Sequence, residues 1–522
     1  MAWRAWNCWR KWCRFRTSPW KRMWPACWRA ATTPPTPSSP PPLPWLPSCS
    51  ADPPSCCMAC LIAAPASGSG KTLFSLSLIA WARRQGLSVQ PFKVGPDYLD
   101  PQLLSVAAGR PCRNLDLPLC GSDWVRQSFH GHGGRTDLAL VEGVMGLFDG
   151  IGSGSDGSSA AVARELNLPV LLVVDAGGQA QSLAALVRGF QSHEPRVQLA
   201  GVVLNRVSSE RHRELLADVL RSIEVPLLGA LPRDLQLELP SRHLGLAPAH
   251  EIERFAGRLA AWAELAERHL DLARLRPLLT APSGGIDPLQ AQLERHTRPE
   301  MPTSTPLPVA VAQDAAFHFR YPEMQDALEI LGMPVLPWSP LADAPIPGEA
   351  IGLILPGGFP EHHAAALSQC QRSLAALRDW FGRRPLYAEC GGMLLLGHSL
   401  TDLQGSAHAM AGLLPFQAAK DRLQVGYRQL TASADSLLLR RGERWMGHEF
   451  HRWQLQPLAG DPAVGNGERL WQVEGWRTER REEGWNRTNV HASWIHLHWG
   501  GSWTIPCRWR GALETAAKAI AF

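Results

Sequence analysis

Ala64-Pro-Ala-Ser-Gly-Ser-Gly-Lys-Thr72, placed directly after the apolar run 60–64, decides the fold of the first half of the chain. Glycines there free the backbone to turn its N–H groups toward phosphate oxygens. A helix starting at Lys71 adds favourable partial charge. Gly68, Ser69 and Gly70 form the cradle, Lys71 reaches the outer phosphates, and the Thr72 hydroxyl is placed to ligate Mg²⁺. The strict pattern asks for glycine at position 65, where this chain has Pro65. An ordinary Gly-Ser turn before a helix is the bland alternative. The buried run before the loop and the Lys-Thr in register after it favour a nucleotide site.

Further apolar runs at 89–94, 138–141, 170–175, 200–204 and 227–231 alternate with amphipathic stretches such as 73–84 and 181–190. Buried strands alternating with helices predict a parallel sheet covered on both faces, with ligands beyond the carboxyl ends of its strands. Three acids fall at such ends. Asp97 and Asp100 lie in Lys93-Val-Gly-Pro-Asp-Tyr-Leu-Asp-Pro101, and Glu142 lies in Val141-Glu-Gly-Val-Met-Gly146. Magnesium prefers one or two carboxylates with phosphates and waters, so Thr72, Asp97, Asp100 and Glu142 are the candidate metal ligands. Lys93 is a candidate to neutralise charge on a transferring phosphoryl group.

The second half carries a different signal. Tyr387-Ala-Glu-Cys-Gly-Gly-Met393 places Cys390 at a sharp strand-to-helix turn, which suits an exposed thiolate nucleophile. Leu355-Pro-Gly-Gly-Phe359 offers backbone N–H groups at Gly357 and Gly358 for an oxyanion, and Ser493-Trp-Ile-His-Leu-His498 supplies imidazoles. His496 and His498 are expected on one face of a strand at different depths, so that one of them reaches the thiol. A helical stretch at 251–275 closes the first domain, and the proline-rich stretch 281–306 reads as a polar linker. A second α/β pattern then runs through 308–312, 322–331, 351–355, 361–381 and 385–388.

The chain has 522 residues, enough for two or three domains. Its formal charge of +5 is uneven: residues 1–57 hold eight Lys/Arg and one acid, which leaves −2 for the remainder. The body therefore presents no electrostatic footprint for nucleic acid. Seven of the twelve cysteines fall in the first sixty residues, and the rest are scattered without disulfide or metal spacing, which points to a reducing cytoplasm. No apolar run reaches the roughly 18 residues of a membrane span. The stretch 1–57, with eight tryptophans and then proline-rich sequence, reads as a non-native or disordered extension ahead of Met58.

Taken together, these motifs resemble the cobyrinic acid a,c-diamide synthase family from 58 to the end of the chain. The blocks that carry the resemblance are 63–72, 92–101, 141–150, 201–207, 229–234 with 242–246, 355–361, 387–392, Gly447-His-Glu-Phe-His451 and 493–498. Lys-x-Gly-Pro-Asp-Tyr-x-Asp-Pro is the most specific. The resemblance implies a P-loop, dethiobiotin-synthetase-like ATP domain (58–280) and a linker (281–306). A class I-type, flavodoxin-like glutamine amidotransferase domain (307–522) would follow. It implies that Cys390 hydrolyses glutamine with His496 as partner, and that ATP activates a corrinoid carboxylate as an acyl phosphate that ammonia then amidates. The His-x-Glu of class I enzymes is not reproduced, since His498 stands two residues on, which leaves open what orients His496. Arg113, Arg206 and Arg242 are expected around a macrocycle cleft. Expected partners are the corrinoid, glutamine and ATP, with a homodimer left open and neither nucleic acid nor membrane. Amidation of a nickel sirohydrochlorin is the nearest rival. A partition-type ATPase switch, or an ATP module with a dead amidotransferase domain, is the rival from another class.

Overall fold

The computed structural model describes residues 59–234, 239, 241–242, 245–246, 251–252, 255–296, 305–458 and 469–521. The reading of 1–57 as an extension and the Arg242 side chain lie outside what is described.

Seven parallel strands form the first sheet, in the order Arg113–Leu115, Val89–Val94, Leu138–Glu142, Leu61–Ala63, Val170–Asp175, Leu199–Val207, Leu227–Pro232. The central strands are buried throughout, as strands covered on both faces must be. Register does the positioning. Glu142 pairs with Ile62 on one side and Lys93 on the other, so these strands end level with one another just short of the phosphate loop. The edge strand Arg113–Leu115 has no apolar run to announce it. It forms by pairing with Phe92–Val94, and the Asn114 amide then caps the Gly95 and Asp97 carbonyls at 2.8 and 3.0 Å.

The second sheet runs Val335–Trp338, Val309–Ala312, Gly352–Leu355, Leu386–Glu389, Val490–Ser493, Trp485–Arg487, parallel except for the last strand. Leu355 pairs with Ala388, and Glu389 with Ser493. Three neighbouring strands therefore deliver the loop at 356–359, the turn at Cys390 and the histidine segment to one edge. A further sheet stands beside it, built on the long hairpin Phe416–Ala432 with Arg444–Pro457.

Two sequence expectations are corrected. The stretch 281–306 is not simply a linker: Pro288–His296 is a helix whose Pro288, Leu289 and Ala291 are buried, and Leu289 shares a core with Trp124, Val309 and Met324. Proline at the first helical position is compatible with a helix start, and these apolar side chains give the segment a buried face. The helix expected over 361–381 is broken into Ala364–Gln369 and Gln371–Trp380, because Cys370 adopts φ −78°, ψ 67° outside the helical region.

Polar contacts join the two halves. Arg113 reaches Asp326 at 2.5 Å and Glu323 at 3.6 Å. Gln102 Nε2 donates to His318 O at 3.2 Å, and Tyr427 Oη donates to Asp116 Oδ2 at 2.9 Å. Among the described residues, no helix is long and apolar enough to cross a membrane. Burial pushes the Glu323 carboxyl up to about 7, against the pull of Arg113. An acid with a raised folded pKa destabilises progressively as pH rises above its unfolded value. Arg113→Ala should therefore cost about 3 kcal/mol at pH 8, where the parent holds Glu323 charged against Arg113 and the variant must carry a proton on it, and less at pH 5.5. Denaturant midpoints at the two pH values test this, and an equal loss at both would contradict it.

Candidate active site

At the nucleotide end, Gly68 and Gly70 take φ +79° and +108°, and the helix Lys71–Arg84 starts directly after them. Asn205, at the end of strand Leu199–Val207, locks the loop by donating from Nδ2 to Ser69 O at 3.0 Å. A Cβ on Gly70 would stand 2.1 Å from that nitrogen, so the loop and Asn205 fit only with glycine there. Ser69 turns its hydroxyl back to Ala66 O at 2.9 Å, and Lys71 Nζ donates to Met145 O at 2.6 Å. Thr72 Oγ1 donates to Glu142 Oε1 at 3.0 Å.

Lys93 is almost wholly buried, and Nζ meets Glu142 at 2.8 Å, Gly143 O at 3.2 Å, Asp97 at 3.6 Å and the Asp100 carboxylate. Burial works against its charge, but Asp100, Glu142 and Asp97 outweigh that and hold the ammonium well above its ordinary value. The expected phosphate-facing lysine is therefore committed to three carboxylates. Lys71 lines the cavity at the phosphate loop, and burial, then the charge of Lys93, pulls it down to about 8. Burial and Asp100 push Asp97 up to about 7. Burial would raise Asp100 as well, but Lys93 beside it holds that carboxyl below its ordinary value.

At the other end, Cys390 sits at φ +45°, a strained turn between strand Leu386–Glu389 and helix Gly391–Leu394. Its thiol donates to Phe450 O at 3.5 Å. Burial, then the charge of Glu361, pushes the thiol well above its usual range. The expectation of an exposed thiolate is thus corrected: the group is a buried thiol. A Cβ on Gly391 would stand 3.0 Å from Gly358 N, which brings the oxyanion loop against the elbow. A Cβ on Gly357 would stand 2.6 Å from His496 Cε1.

His496 lies beyond the end of strand Val490–Ser493 and bridges His448 through backbone bonds of 3.0 and 2.8 Å. His496 and His498 both lie past that strand and therefore do not share a strand face. The His498 ring has Nε2 3.7 Å from Glu323 Oε2 and accepts from Gly501 N at 3.0 Å, against the domain interface. His496 Nδ1 lies 3.3 Å from Glu389 Oε2, while its buried Nε2 has no hydrogen-bond partner.

One cavity of about 810 Å³ is lined by Gly68, Lys71, Thr72, Lys93, Asp97 and Asp100, and continues to Tyr98, Phe319, His448 and Phe450. Glu142 lies beneath it, wholly buried. Arg206 is on its wall but is engaged with Asp175 at 2.6 Å and Gly68 O at 3.3 Å. Arg113 is held at the interface instead. Sequence reasoning left several residues without a role. Tyr98 packs on His496 at a ring separation of 5.0 Å, and Glu449 gathers Arg428 at 2.7 Å, His451 at 2.9 Å and Arg481. Tyr98 and Glu449 fall within the quoted motifs, and Glu389 abuts the nucleophile. Trp476, on the cavity rim, had no sequence signal at all.

Comparison with known proteins agrees with this layout. The family model of the CobQ/CobB/MinD/ParA nucleotide binding domain matches residues 60–246, and that of the CobB/CobQ-like glutamine amidotransferase domain matches residues 308–503. A cobyrinate a,c-diamide synthase of Gloeobacter violaceus is 43% identical over 449 residues, covering 85% of this chain and 94% of that relative. A hydrogenobyrinate a,c-diamide synthase of Streptomyces coelicolor is 41% identical over 473 residues, covering 84% and 94%. A nucleotide-binding half and an amidotransferase half opening on one cavity, at these identities over nearly the whole length of the relatives, place the chain in the cobyrinate/hydrogenobyrinate a,c-diamide synthase family.

Proposed function

We propose that this protein amidates the a and c carboxylates of cobyrinate, or of its metal-free hydrogeno form, with ATP and with ammonia released from glutamine. The observation that carries this reading is the single cavity joining the phosphate loop to Phe450, whose carbonyl accepts from the Cys390 thiol. Lys71 and the helix N-terminus hold the nucleotide phosphates, and an acceptor carboxylate attacks the γ-phosphorus, releasing ADP and forming an acyl phosphate. This step is needed because a carboxylate is a poor acyl donor.

The residues suit a magnesium ion. Thr72 and Glu142 are hydrogen-bonded neighbours, and Glu142 Oε2 is buried without a partner. No group of three or more His, Cys, Asp or Glu among the described residues is arranged to hold a metal, which is consistent with an ion that takes its other ligands from nucleotide and water. Thr72 and Glu142 would hold Mg²⁺, with Asp97 and Asp100 adding negative charge nearby, and the ion would supply charge neutralisation for phosphoryl transfer.

At the second centre, His496 Nε2 takes the Cys390 proton as sulfur attacks the glutamine amide carbon, and N–H groups near Gly357 and Gly358 hold the oxyanion. The imidazolium returns the proton to the departing amine, and water later releases glutamate from the thioester. Ammonia then displaces phosphate from the acyl phosphate. The aromatic stretch of Tyr98, Phe319 and Phe450 is the shielded ground between the centres. For the acceptor we place the macrocycle against Trp476, Val425 and Met145. These are 55%, 50% and 45% exposed apolar side chains on the wall of this same cavity. The six described cysteines are free, which fits work in the reducing cytoplasm.

Three outcomes test the reading. Cys390→Ser should abolish glutamine-dependent amidation while ammonium salts still support it; retained glutamine use would refute the nucleophile. Trp476→Ala should raise KM for the corrinoid about tenfold with KM for glutamine unchanged, reflecting loss of an indole that the bound macrocycle would cover. The third concerns Lys71. With a pKa near 8 in the free protein, it is about three-quarters neutral at pH 8.5, and a bound phosphate must reprotonate it. ATP binding at pH 8.5 should then take up roughly three-quarters of a proton, but only about a tenth at pH 7 from this group. Calorimetry in buffers of different ionisation enthalpy measures it, and no uptake at pH 8.5 would mean that Lys71 is already charged before ATP binds.

A further inference from the structure

Glutamine hydrolysis needs His496 with its proton on Nδ1, so that Nε2 can accept from the thiol. Something must impose that tautomer, and no acid follows the histidine at the second position, where His498 stands. We propose that Glu389, the residue immediately before the nucleophile, is the positioning residue for His496. This rests on the glutaminase reading above.

The geometry is that of an acceptor surrounded by donors. Glu389 is buried at the end of strand Leu386–Glu389. Its Oε1 accepts from Leu497 N at 3.1 Å and from the Tyr387 hydroxyl, and its Oε2 faces His496 Nδ1 at 3.3 Å. A carboxylate ringed in this way has acceptor capacity only, so Nδ1 must carry the hydrogen and Nε2 is left with a lone pair. Nε2 is the ring nitrogen that is buried without a partner. The ring is also held mechanically, by Tyr98 at 5.0 Å and by the close approach of Gly357. Strand pairing explains how one residue serves both partners. Glu389 pairs with Ser493, so the residue that leads into Cys390 lies beside the segment that leads into His496. His498 cannot substitute, because its Nε2 faces Glu323 at 3.7 Å.

Glu389→Gln separates positioning from support. The glutamine carbonyl still accepts from Tyr387 and Leu497 N, but its amide now donates toward Nδ1. The hydrogen moves to Nε2, where it blocks proton acceptance from the thiol. We expect glutaminase kcat to fall about ten-thousandfold, the order found when a triad acid becomes its amide. KM for glutamine should change less than threefold, and ammonium-driven amidation should persist. Tyr387→Phe, which removes a bond to Glu389 without reversing the tautomer, should cost less than tenfold in kcat. A Glu389→Gln enzyme within threefold of the parent overturns the assignment. So does a parallel loss of glutamine- and ammonium-driven amidation, which would mark a fold role, or a Tyr387→Phe loss as large as that of Glu389→Gln. Cys390→Ser assayed alongside keeps the two failures apart. If it still hydrolyses glutamine, the underlying reading fails, whereas a dead Cys390→Ser with an active Glu389→Gln removes only the role of Glu389.

Discussion

A buried ammonium among three carboxylates is the constraint on which the nucleotide half depends. Charges taken out of water are tolerated only when paired and hydrogen-bonded. Lys93 meets that condition by drawing Glu142 from the neighbouring strand and Asp97 and Asp100 from the loop after its own strand. Strand pairing sets Lys93 and Glu142 side by side, and Asp97 Oδ1 accepts from Leu99 and Asp100 N–H at 2.9 and 3.2 Å, tightening the loop. The carboxylates that would serve a metal and phosphates are therefore already gathered by a protein cation. The cluster keeps net negative charge beside the phosphate loop, which is what a divalent cation requires of its seat.

The same loop carries Tyr98 between its two aspartates, and this residue joins the chemistries. Its ring stacks on Phe319 at 5.2 Å, leans on Tyr321 at 4.8 Å and touches the His496 ring. One residue thus separates the carboxylate cluster from the imidazole. The most distinctive motif of the chain can be understood in those terms: its acids belong to one active centre and its aromatic residue forms the wall of the other. A packed wall of this kind is close to incompressible.

Much of this was legible in the sequence because the relevant physics is local. Apolar runs 89–94 and 170–175 coincide with observed strands, and the loops after Ala63, Leu355 and Glu389 lie where carboxyl strand ends put them. The remainder depended on partners distant in the chain. Arg113–Leu115 is a strand only because Phe92–Val94 offers an edge, and Pro288–His296 is a helix that packs on Trp124 and Met324. The long hairpin hides for another reason: buried and exposed residues alternate irregularly along Phe416–Ala432, with a register shift between Lys420 and Gln424. Glu389 could be seen as a neighbour of the cysteine, but its contact with His496 follows from strand pairing, which spacing does not reveal.

That hairpin does more than cover the second sheet. Phe450 accepts from the thiol, so a base must compete with a protein carbonyl for the thiol proton before sulfur can attack. Glu449, next in the chain, binds Arg428, His451 and Arg481, pinning Phe450 from two strands of the hairpin and a third beyond it. Val425, Tyr427 and Arg428 on the same hairpin line the cavity, and Trp476 closes its rim from the next turn. Val425 pairs with Phe450 across the ladder. Val425 on the cavity wall and Phe450, whose carbonyl accepts from the thiol, are therefore opposite one another across the hairpin.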